Sequence, residues 1–479
     1  VREFHTVEQV RAAEAPLLAS LPEGTLMRRA AHGLARVVTA ELRGCTGGVA
    51  GRTVTLLVGS GDNGGDALWA GAILRRRGVA VTAVLLDPSR AHAAGLSAFR
   101  SAGGRIVADV GNPDLVLDGI VGISGRGPLR PGAAALVASI TAPIVAVDLP
   151  SGVDPDTGTV SGPAVTAAVT VAFGALKPVH ALAGSRCGRI ELVDIGLDLP
   201  VTTIAALTPN EVGERWPIPG AVDDKYSQGV VGVAAGSAGY PGAAVLCCGG
   251  AVAATSGMVR YVGPVAPHVL SQWPEVVAAD GFAEAGRVQA WVVGPGLGTG
   301  KSAQEVVRDV LATDLPVLVD ADGLTVLAAD PALVRERTAP TLLTPHAGEF
   351  ERLTGIDPAD DRVGRTRDLA AEWGVTVLLK GRATVIADPD GRVLVNDAGG
   401  SAAATAGSGD VLAGVIGALL STGPSPATAA AMGARAHALA AALAAGDGSE
   451  VAAPISAGTL LSQVRSAIRV LRAQKVLGM

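Results

Sequence analysis

The stretch Thr53-Val54-Thr55-Leu56-Leu57-Val58, running into Gly59-Ser60-Gly61-Asp62-Asn63-Gly64-Gly65-Asp66, decides the fold class of the first part of this chain. The aliphatic and β-branched run reads as a buried strand, the glycines as a tight turn, and Ala67 to Arg77 as a helix. Strand, turn and helix in that order form the repeating unit of a parallel sheet covered by helices. Working outward, β-like runs recur at Val79 to Leu86, Leu115 to Leu117, Ile144 to Val147, Val169 to Phe173 and Ile190 to Val193. Near Leu199 the rhythm breaks, with Pro200, Pro209, Pro217 and Pro219 in a segment short of hydrophobic periodicity. It resumes at Val230 to Ala235, Ala290 to Val293, Val317 to Val319, Thr341 to Leu343 and Val375 to Leu379, and apolar helices follow from Asp410 to Leu420 and Ala427 to Ala445. A length of 479 residues exceeds what one core usually holds, so two α/β domains are expected, 1–205 and 206–479.

Composition narrows the functional classes. Hydrophobic residues make up 49% and charged residues 17%, enough apolar material for sizeable cores. The net charge is -6, and the longest basic block, Arg75-Arg76-Arg77, ends a helical run before Gly78, where it compensates a helix dipole. Nucleic-acid binding is therefore not expected. Cys45, Cys187, Cys247 and Cys248 show neither metal-ligand spacing nor disulfide density, which suits a reducing cytoplasmic location. Glu3, His5 and Glu8 near the start do not form a secretory signal. The apolar stretches Ala243 to Val259 and Ala427 to Ala445 read as buried helices rather than membrane spans, because glycines interrupt the first and the second carries Arg435 and His437.

The first glycine loop contains G-x-G-x-x-G between a strand and a helix, and Asp87 closes the next strand where a dinucleotide fold keeps its ribose-binding acid. A nicotinamide dehydrogenase is thus one reading. Asp62 and Asp66 argue against it, since they would set two carboxylates beside a pyrophosphate. Downstream lie Asp118-Gly119-Ile120-Val121-Gly122-Ile123-Ser124-Gly125-Arg126 and Asp148-Leu149-Pro150-Ser151-Gly152-Val153-Asp154, each after a β-like run. With these segments the first 205 residues resemble the NAD(P)H-hydrate epimerase family; Asp62 and Ala67 depart from its pattern. The resemblance implies a Rossmann-like three-layer sandwich. It also implies potassium held by Asn63, Asp118 and Ser151, whose hard oxygen donors suit such an ion. Substrate would lie along Asn63, Gly64, Gly65 and Asp66, along Gly122, Ile123, Ser124, Gly125, Arg126, Gly127 and Pro128, and at Asp148, a carboxylate able to shuttle a proton. Lys177 also matches a family position.

In the second half, Gly294-Pro295-Gly296-Leu297-Gly298-Thr299-Gly300-Lys301-Ser302 approaches a phosphate-binding P-loop but has proline at the first loop position, so it reads as a turn lining a ligand cleft. Then follow Asp320-Ala321-Asp322-Gly323, Thr344-Pro345-His346-Ala347-Gly348-Glu349, Lys380-Gly381-Arg382-Ala383-Thr384 and Thr405-Ala406-Gly407-Ser408-Gly409-Asp410. Gly407 to Gly409 let consecutive amides face an anion where a helix begins, and Asp410 at that mouth can take a proton from an attacking hydroxyl.

The ordered set, from about Thr208 onward, resembles the ADP-dependent NAD(P)H-hydrate dehydratases of ribokinase-like fold. By that resemblance Lys380, Gly381, Arg382, Ala383, Thr384 and Gly409 hold the nucleotide, while Ala243, Gly296, Gly298, His346 and Asp410 face the hydrate. Thr208-Pro209-Asn210-Glu211 reads as linker. The whole chain then resembles a bifunctional NAD(P)H-hydrate repair enzyme: one domain epimerises hydrated NADH and NADPH, the other dehydrates the S hydrate with ADP and Mg2+, releasing AMP and phosphate. A homo-oligomer is expected. The alternatives are a vitamin-precursor kinase for the second domain and a binding-only module for the first.

Overall fold

In the computed structural model the described residues are 1–398, 400–446 and 452–477. They divide into two compact units, Glu3–Thr202 and Val1–Arg2 with Thr203–Met479.

The first unit is built on seven strands: β1 (Thr53–Val58), β2 (Ala80–Leu85), β3 (Arg105–Ile106), β4 (Leu115–Gly119), β5 (Ile144–Val147), β6 (Val169–Phe173) and β7 (Arg189–Val193). Their order is β3-β2-β1-β4-β5-β6-β7, every pair parallel. Successive strand residues face opposite layers. Val54, Leu56, Leu115 and Val145 pack on helices Thr25–Thr46 and Asp62–Arg76, whereas Leu57, Val116, Ile144 and Ala146 pack toward helix Pro131–Ala138. The expected three-layer α/β sandwich is thus present. Its order reverses between β1 and β4, and ligands of such sheets bind outside the carboxyl ends at that point.

The helix after β1 begins at Asp62, five residues earlier than the sequence suggests, so Asn63 to Asp66 form its first turns rather than a loop. Glycine permits this. A Cβ at Gly59 would lie 1.8 Å from the Ile120 carbonyl oxygen, which brings the β1 and β4 outlets together. Arg75 and Arg76 close the helix as expected, and Arg77 donates to the Ala35 carbonyl.

The second unit repeats this plan and extends it. Its strands are β8 (Ile204–Ala206), β9 (Val230–Ala234), β10 (Met258–Val262), β11 (Val277–Ala279), β12 (Ala290–Val293), β13 (Val317–Val319), β14 (Thr341–Leu343), β15 (Thr376–Leu379), β16 (Thr384–Ala387) and β17 (Val393–Asn396). The order β11-β10-β9-β12-β13-β14-β15 is parallel, β16 and β17 add antiparallel, and β8 pairs parallel with β17. The position expected for the junction, between 205 and 206, lies inside β8. Thr208 opens a helix, Pro209–Arg215, through a capping box with Glu211, so this segment is a folded part of the second unit and not a linker.

The stretch Ala243 to Val259 is not one helix. Helix Pro241–Ala254 ends before Thr255-Ser256-Gly257, and Val259 belongs to β10. The turn is close: a Cβ at Gly257 would sit 1.9 Å from the Gly229 carbonyl oxygen.

Helix Ser408–Leu420 is buried on all sides from Val411 onward, as its uniformly apolar sequence requires. It crosses helix Pro241–Ala254 at reciprocal glycines. A Cβ at Gly414 would meet the Cys247 carbonyl oxygen at 2.0 Å, and one at Gly250 the Val411 carbonyl oxygen at 2.4 Å. This crossing anchors the helix whose first turn carries Asp410.

Candidate active sites

In the first unit the β4 and β5 outlets carry the acids. Asp118 ends β4 fully buried, and its carboxylate accepts hydrogen bonds from Ser151 Oγ (2.7 Å), Ser151 N (2.9 Å) and Ile120 N (3.2 Å). Burial pushes its pKa up to about 6 against the pull of those bonds, and the groups acting on it are neutral. The Asn63 amide approaches Gly122, where an added Cβ would lie 2.9 Å from Asn63 Oδ1, and Asn63 Nδ2 is buried without a hydrogen-bond partner. One uncompensated carboxylate with neutral oxygens nearby suits a monovalent hard cation. Among the described residues no group of three His, Cys, Asp or Glu side chains could hold a metal ion.

Asp148 follows β5 with φ 69, a left-handed backbone that costs a non-glycine residue about 1–2 kcal/mol. Lys177, 1% exposed, donates from Nζ to Asp148 Oδ1 at 2.5 Å and to the Phe173 carbonyl at 3.1 Å. His180 Nε2 lies 2.9 Å from the Asp148 carbonyl oxygen, and its Nδ1 accepts from Lys177 N at 2.8 Å. Burial, then the Lys177 charge, pushes His180 down to about 4, so the ring is neutral.

Asp66 is held well above the usual carboxylate range, first by burial and then by Asp148, Asp62 and Glu14. With Asp62, Glu14, Trp69 and His92 it lines a cavity of about 720 Å³. Ser124 to Pro128 line a different cavity, of about 690 Å³, with Gly59, Ser60 and Asp87. Of the residues expected to line one substrate site, Asp66 thus faces one cavity and Ser124 to Pro128 another, while Asn63, Gly64, Gly65, Gly122, Ile123 and Asp148, like Asp118 and Ser151, line neither.

In the second unit Asp410 lies in the first turn of its helix, behind Gly407 in the left-handed conformation (φ 82). Burial, then the charge of Asp320, pushes it up to about 7; Lys380 opposes this, and Asp322 and Glu349 add to it. Lys380 itself donates to Asp320 Oδ1 at 2.7 Å and lies 3.6 Å from Glu349. Burial would lower the Lys380 pKa, but these carboxylates hold it above its ordinary value.

A cavity of about 690 Å³ is lined by Lys380, Gly381, Arg382, Thr384, Gly409 and His346 among others; Ala383 and Asp410 are not in its wall. A Cβ at Gly409 would stand 3.5 Å from Lys380 Nζ, in ordinary contact, which places this backbone beside the lysine. His437, on helix Pro426–Ala445, sits in the same wall with Nε2 2.9 Å from the Ser408 carbonyl oxygen. Burial pushes it down to about 4, so it too is neutral.

Ala243, Gly296 and Gly298 gather at the β9–β12 reversal. A Cβ at Gly296 would touch that of Ala243 at 2.6 Å, Gly298 N donates to Asp322 at 2.8 Å, and Gly236 N donates to the Pro295 carbonyl at 2.8 Å. His346 is exposed and serves as a helix N-cap, exchanging hydrogen bonds with Glu349.

Sequence reasoning left Asp320, Glu349, His437, His180 and Glu14 without a place in either site. Glu349 had a signal, the i, i+3 capping spacing from His346. His180 had the same i, i+3 spacing from Lys177, and Asp320 lay within Asp320-Ala321-Asp322-Gly323; His437 and Glu14 reach the sites through tertiary packing.

Residues 231–460 match the family described as NAD(P)H-hydrate dehydratase, and residues 23–179 the family described as YjeF-related protein N-terminus. A bifunctional NAD(P)H-hydrate repair enzyme of Mycobacterium leprae is 61% identical over 475 residues, covering 98% of this chain and 100% of the relative. The chain belongs to the bifunctional NAD(P)H-hydrate repair enzymes. A second member of that family, from Mycobacterium tuberculosis, is 63% identical over 427 residues, 88% of this chain and 90% of the relative.

Among solved structures, the ADP/ATP-dependent NAD(P)H-hydrate dehydratase of Bacillus subtilis, co-crystallized with ATP/Mg2+, is 29% identical with a TM-score of 0.51, covering 57% of this chain and 100% of that one. A ribokinase-like superfamily protein of Enterococcus faecalis shares the fold, with a TM-score of 0.50, 21% identity, and coverage of 57% of this chain and 98% of that one. The second unit of this repair enzyme is thus ribokinase-like, as its sequence led us to expect. No helix among the described residues is long and apolar enough to cross a membrane.

Proposed function

We propose that this chain restores hydrated NADH and NADPH, its first unit interconverting the two epimers and its second dehydrating the S epimer. The observation that carries the dehydratase reading is Asp410, poised near neutrality at a helix mouth beside a cavity with a half-buried lysine. Asp410 takes the proton from the hydrate's hydroxyl as that oxygen attacks the terminal phosphorus of the nucleotide, and AMP leaves when the donor is ADP. The poor leaving group hydroxide has become phosphate. It departs as the ring nitrogen pushes electrons in and the neighbouring carbon loses a proton, which restores the dihydropyridine. Lys380, Gly381, Arg382, Ala383, Thr384 and Gly409 would hold the nucleotide, and Mg2+, with which the Bacillus relative was co-crystallized together with ATP, would supply positive charge for the phosphoryl transfer. Ala243, Gly296, Gly298 and His346 face the hydrate.

In the first unit Asp148 carries the proton between the hydroxyl and the ring nitrogen. The carbon–nitrogen bond opens to an aldehyde, rotates and closes on the other face with the proton returned. Asp66, whose carboxyl burial and the neighbouring Asp148, Asp62 and Glu14 hold well above the usual carboxylate range, faces the substrate. The hydrate's ends extend along Asn63 to Asp66 and along Gly122, Ile123 and Ser124 to Pro128. Potassium at Asn63, Asp118 and Ser151 would supply the positive charge that buried Asp118 lacks. Assembly as a homo-oligomer is part of this reading, and sedimentation checks it.

Incubating the protein with hydrated NADH and ADP, while following the absorbance of the restored dihydropyridine, tests the whole. Full recovery from a mixture of epimers is expected. Recovery of nothing, alongside phosphorylation of a pyrimidine alcohol, would sink the dehydratase reading. Recovery of one epimer only would sink the epimerase reading.

A further inference from the structure

We infer that His180 is a positioning residue for epimerisation, clamping Asp148 and Lys177 into one arrangement through their backbones. The inference rests on the reading of Asp148 as the proton carrier.

Among the described residues, Asp148 and Ala321 are the non-glycine residues with positive φ, and a strained conformation persists only where its surroundings over-determine it. Around Asp148 they do. Its N–H donates to the Val171 carbonyl at 2.8 Å, and its carboxylate accepts from Lys177 Nζ at 2.5 Å and from Phe173 N at 3.3 Å. Its carbonyl oxygen faces His180 Nε2 at 2.9 Å. The ring's tautomer follows from its other nitrogen. Nδ1 faces the Lys177 N–H at 2.8 Å and must accept, so Nε2 carries the hydrogen and donates to the Asp148 carbonyl.

One neutral, buried ring therefore joins the backbone of the acid to the backbone of its lysine partner. Helix Pro178–Leu182 explains how His180 comes to be there: Lys177 is its N-cap, Pro178 its first residue and His180 its third, whose Nδ1 accepts the cap N–H while its own N–H donates to the Lys177 carbonyl. Capping needs only the acceptor. The second nitrogen reaches back to Asp148, and that contact is what an ordinary cap residue lacks. With both nitrogens committed, the ring is not itself a proton carrier. Its effect must pass through Asp148.

The test follows interconversion of the two hydrates by the full chain, with the epimers separated chromatographically so that the second unit is not needed for the readout. His180→Asn keeps an acceptor for the Lys177 N–H but is too short to span to the Asp148 carbonyl, whereas His180→Gln can supply both bonds. We expect His180→Asn to lower kcat by about a hundredfold, the loss typical of displacing a reacting group by about an ångström. KM stays within about twofold. His180→Gln returns to within about tenfold of the parent. Placed on Asp148→Asn, whose residual rate is the baseline, His180→Asn costs nothing further, since the two act as a unit.

An unchanged kcat in His180→Asn would overturn the inference, as would a loss confined to KM or one that persists in full on Asp148→Asn. Should His180→Asn also lose dehydration and unfold early, the His180→Gln pair with and without Asp148→Asn reads the same coupling. Asp148→Asn epimerising at the parent rate ends the proton-carrier reading itself. An inactive Asp148→Asn beside a fully active His180→Asn ends only the role of His180.

Discussion

Each unit sets a lysine against carboxylates at the carboxyl end of a sheet with the same 3-2-1-4-5-6-7 parallel order, yet the two lysines hold different acids. In the first unit Lys177 bonds Asp148 directly. In the second, Lys380 bonds Asp320 and lies near Glu349, and its charge only partly opposes the burial and like charges that push Asp410 up to about 7. The same residue types thus yield two devices. A lysine given wholly to the reacting acid fixes its place. On the proposed reading, a lysine given mainly to bystanders leaves the acid free to hold and release a proton near neutrality, and places a cation where a nucleotide phosphate can use it.

The largest expected effect comes from Asp410→Asn. It should cut dehydration by about 10³-fold, as loss of a general base commonly does, while interconversion of the epimers continues at the parent rate. Dehydration surviving within tenfold would assign the base elsewhere.

Next in size is the pH response. Asp410 acts as a base only when deprotonated, and its raised pKa means that it still holds a proton below about pH 7. The kcat/KM for dehydration should therefore fall about tenfold per pH unit below about 7 and level off above it. Asp320→Asn should move that limb to lower pH, because it removes a raising charge and frees Lys380 toward Asp410. A limb that stays in place would break the contrast between the two lysines.

The contrast also shows what the sequence made legible. Strands such as Ile144–Val147 and Ala290–Val293 were readable as continuous apolar runs, because a parallel sheet buries both faces. Met258–Val262 was not, since the apolar helix ahead of it hides the change of period until Thr255-Ser256-Gly257 turns the chain. Thr384–Ala387 and Val393–Asn396 were missed as well: the first follows directly on the Lys380 to Thr384 segment read as a nucleotide loop. The candidate site residues within motifs came from the family resemblance that the order of those motifs carries. Which lysine holds which acid is a tertiary fact, and no spacing in the chain links Lys380 to Asp320, sixty positions away. His180 was hidden for a different reason, because its role depends on a ring tautomer.

A smaller effect is expected from Gly414→Ala, one helical turn beyond Asp410. The added carbon would meet the Cys247 carbonyl oxygen at 2.0 Å, a backbone atom that cannot swing aside, so the Asp410 helix must shift along helix Pro241–Ala254. Overpacking of this kind costs about 1–3 kcal/mol. Thermal unfolding of the second unit should begin earlier and dehydration should weaken, with epimerisation untouched. An unaltered dehydration rate would mean that the crossing does not set the position of Asp410.

The smallest effect concerns potassium and separates the units by their charge balance. Each reacting acid has cations near it, but Asp118 is buried among neutral groups and its pKa is raised from 3.8 to about 6. The sign follows from linkage. The folded protein binds a proton more tightly than the unfolded chain does, so this group's contribution is fully present below about pH 4 and is lost as pH rises through about 6. A cation that binds the charged carboxylate offsets that loss and has little to bind once the carboxyl is protonated. At pH 7.5, KCl in place of choline chloride at equal ionic strength should therefore raise the unfolding temperature of the first unit by about 2–4 °C, the shift that ~1 kcal/mol produces in a unit of this size. At pH 5 the increment should shrink, and in Asp118→Asn it should vanish at both pH values. An equal increment in the Asp118→Asn protein would place the ion elsewhere and leave Asp118 as an uncompensated buried acid held by Ser151 and the Ile120 N–H.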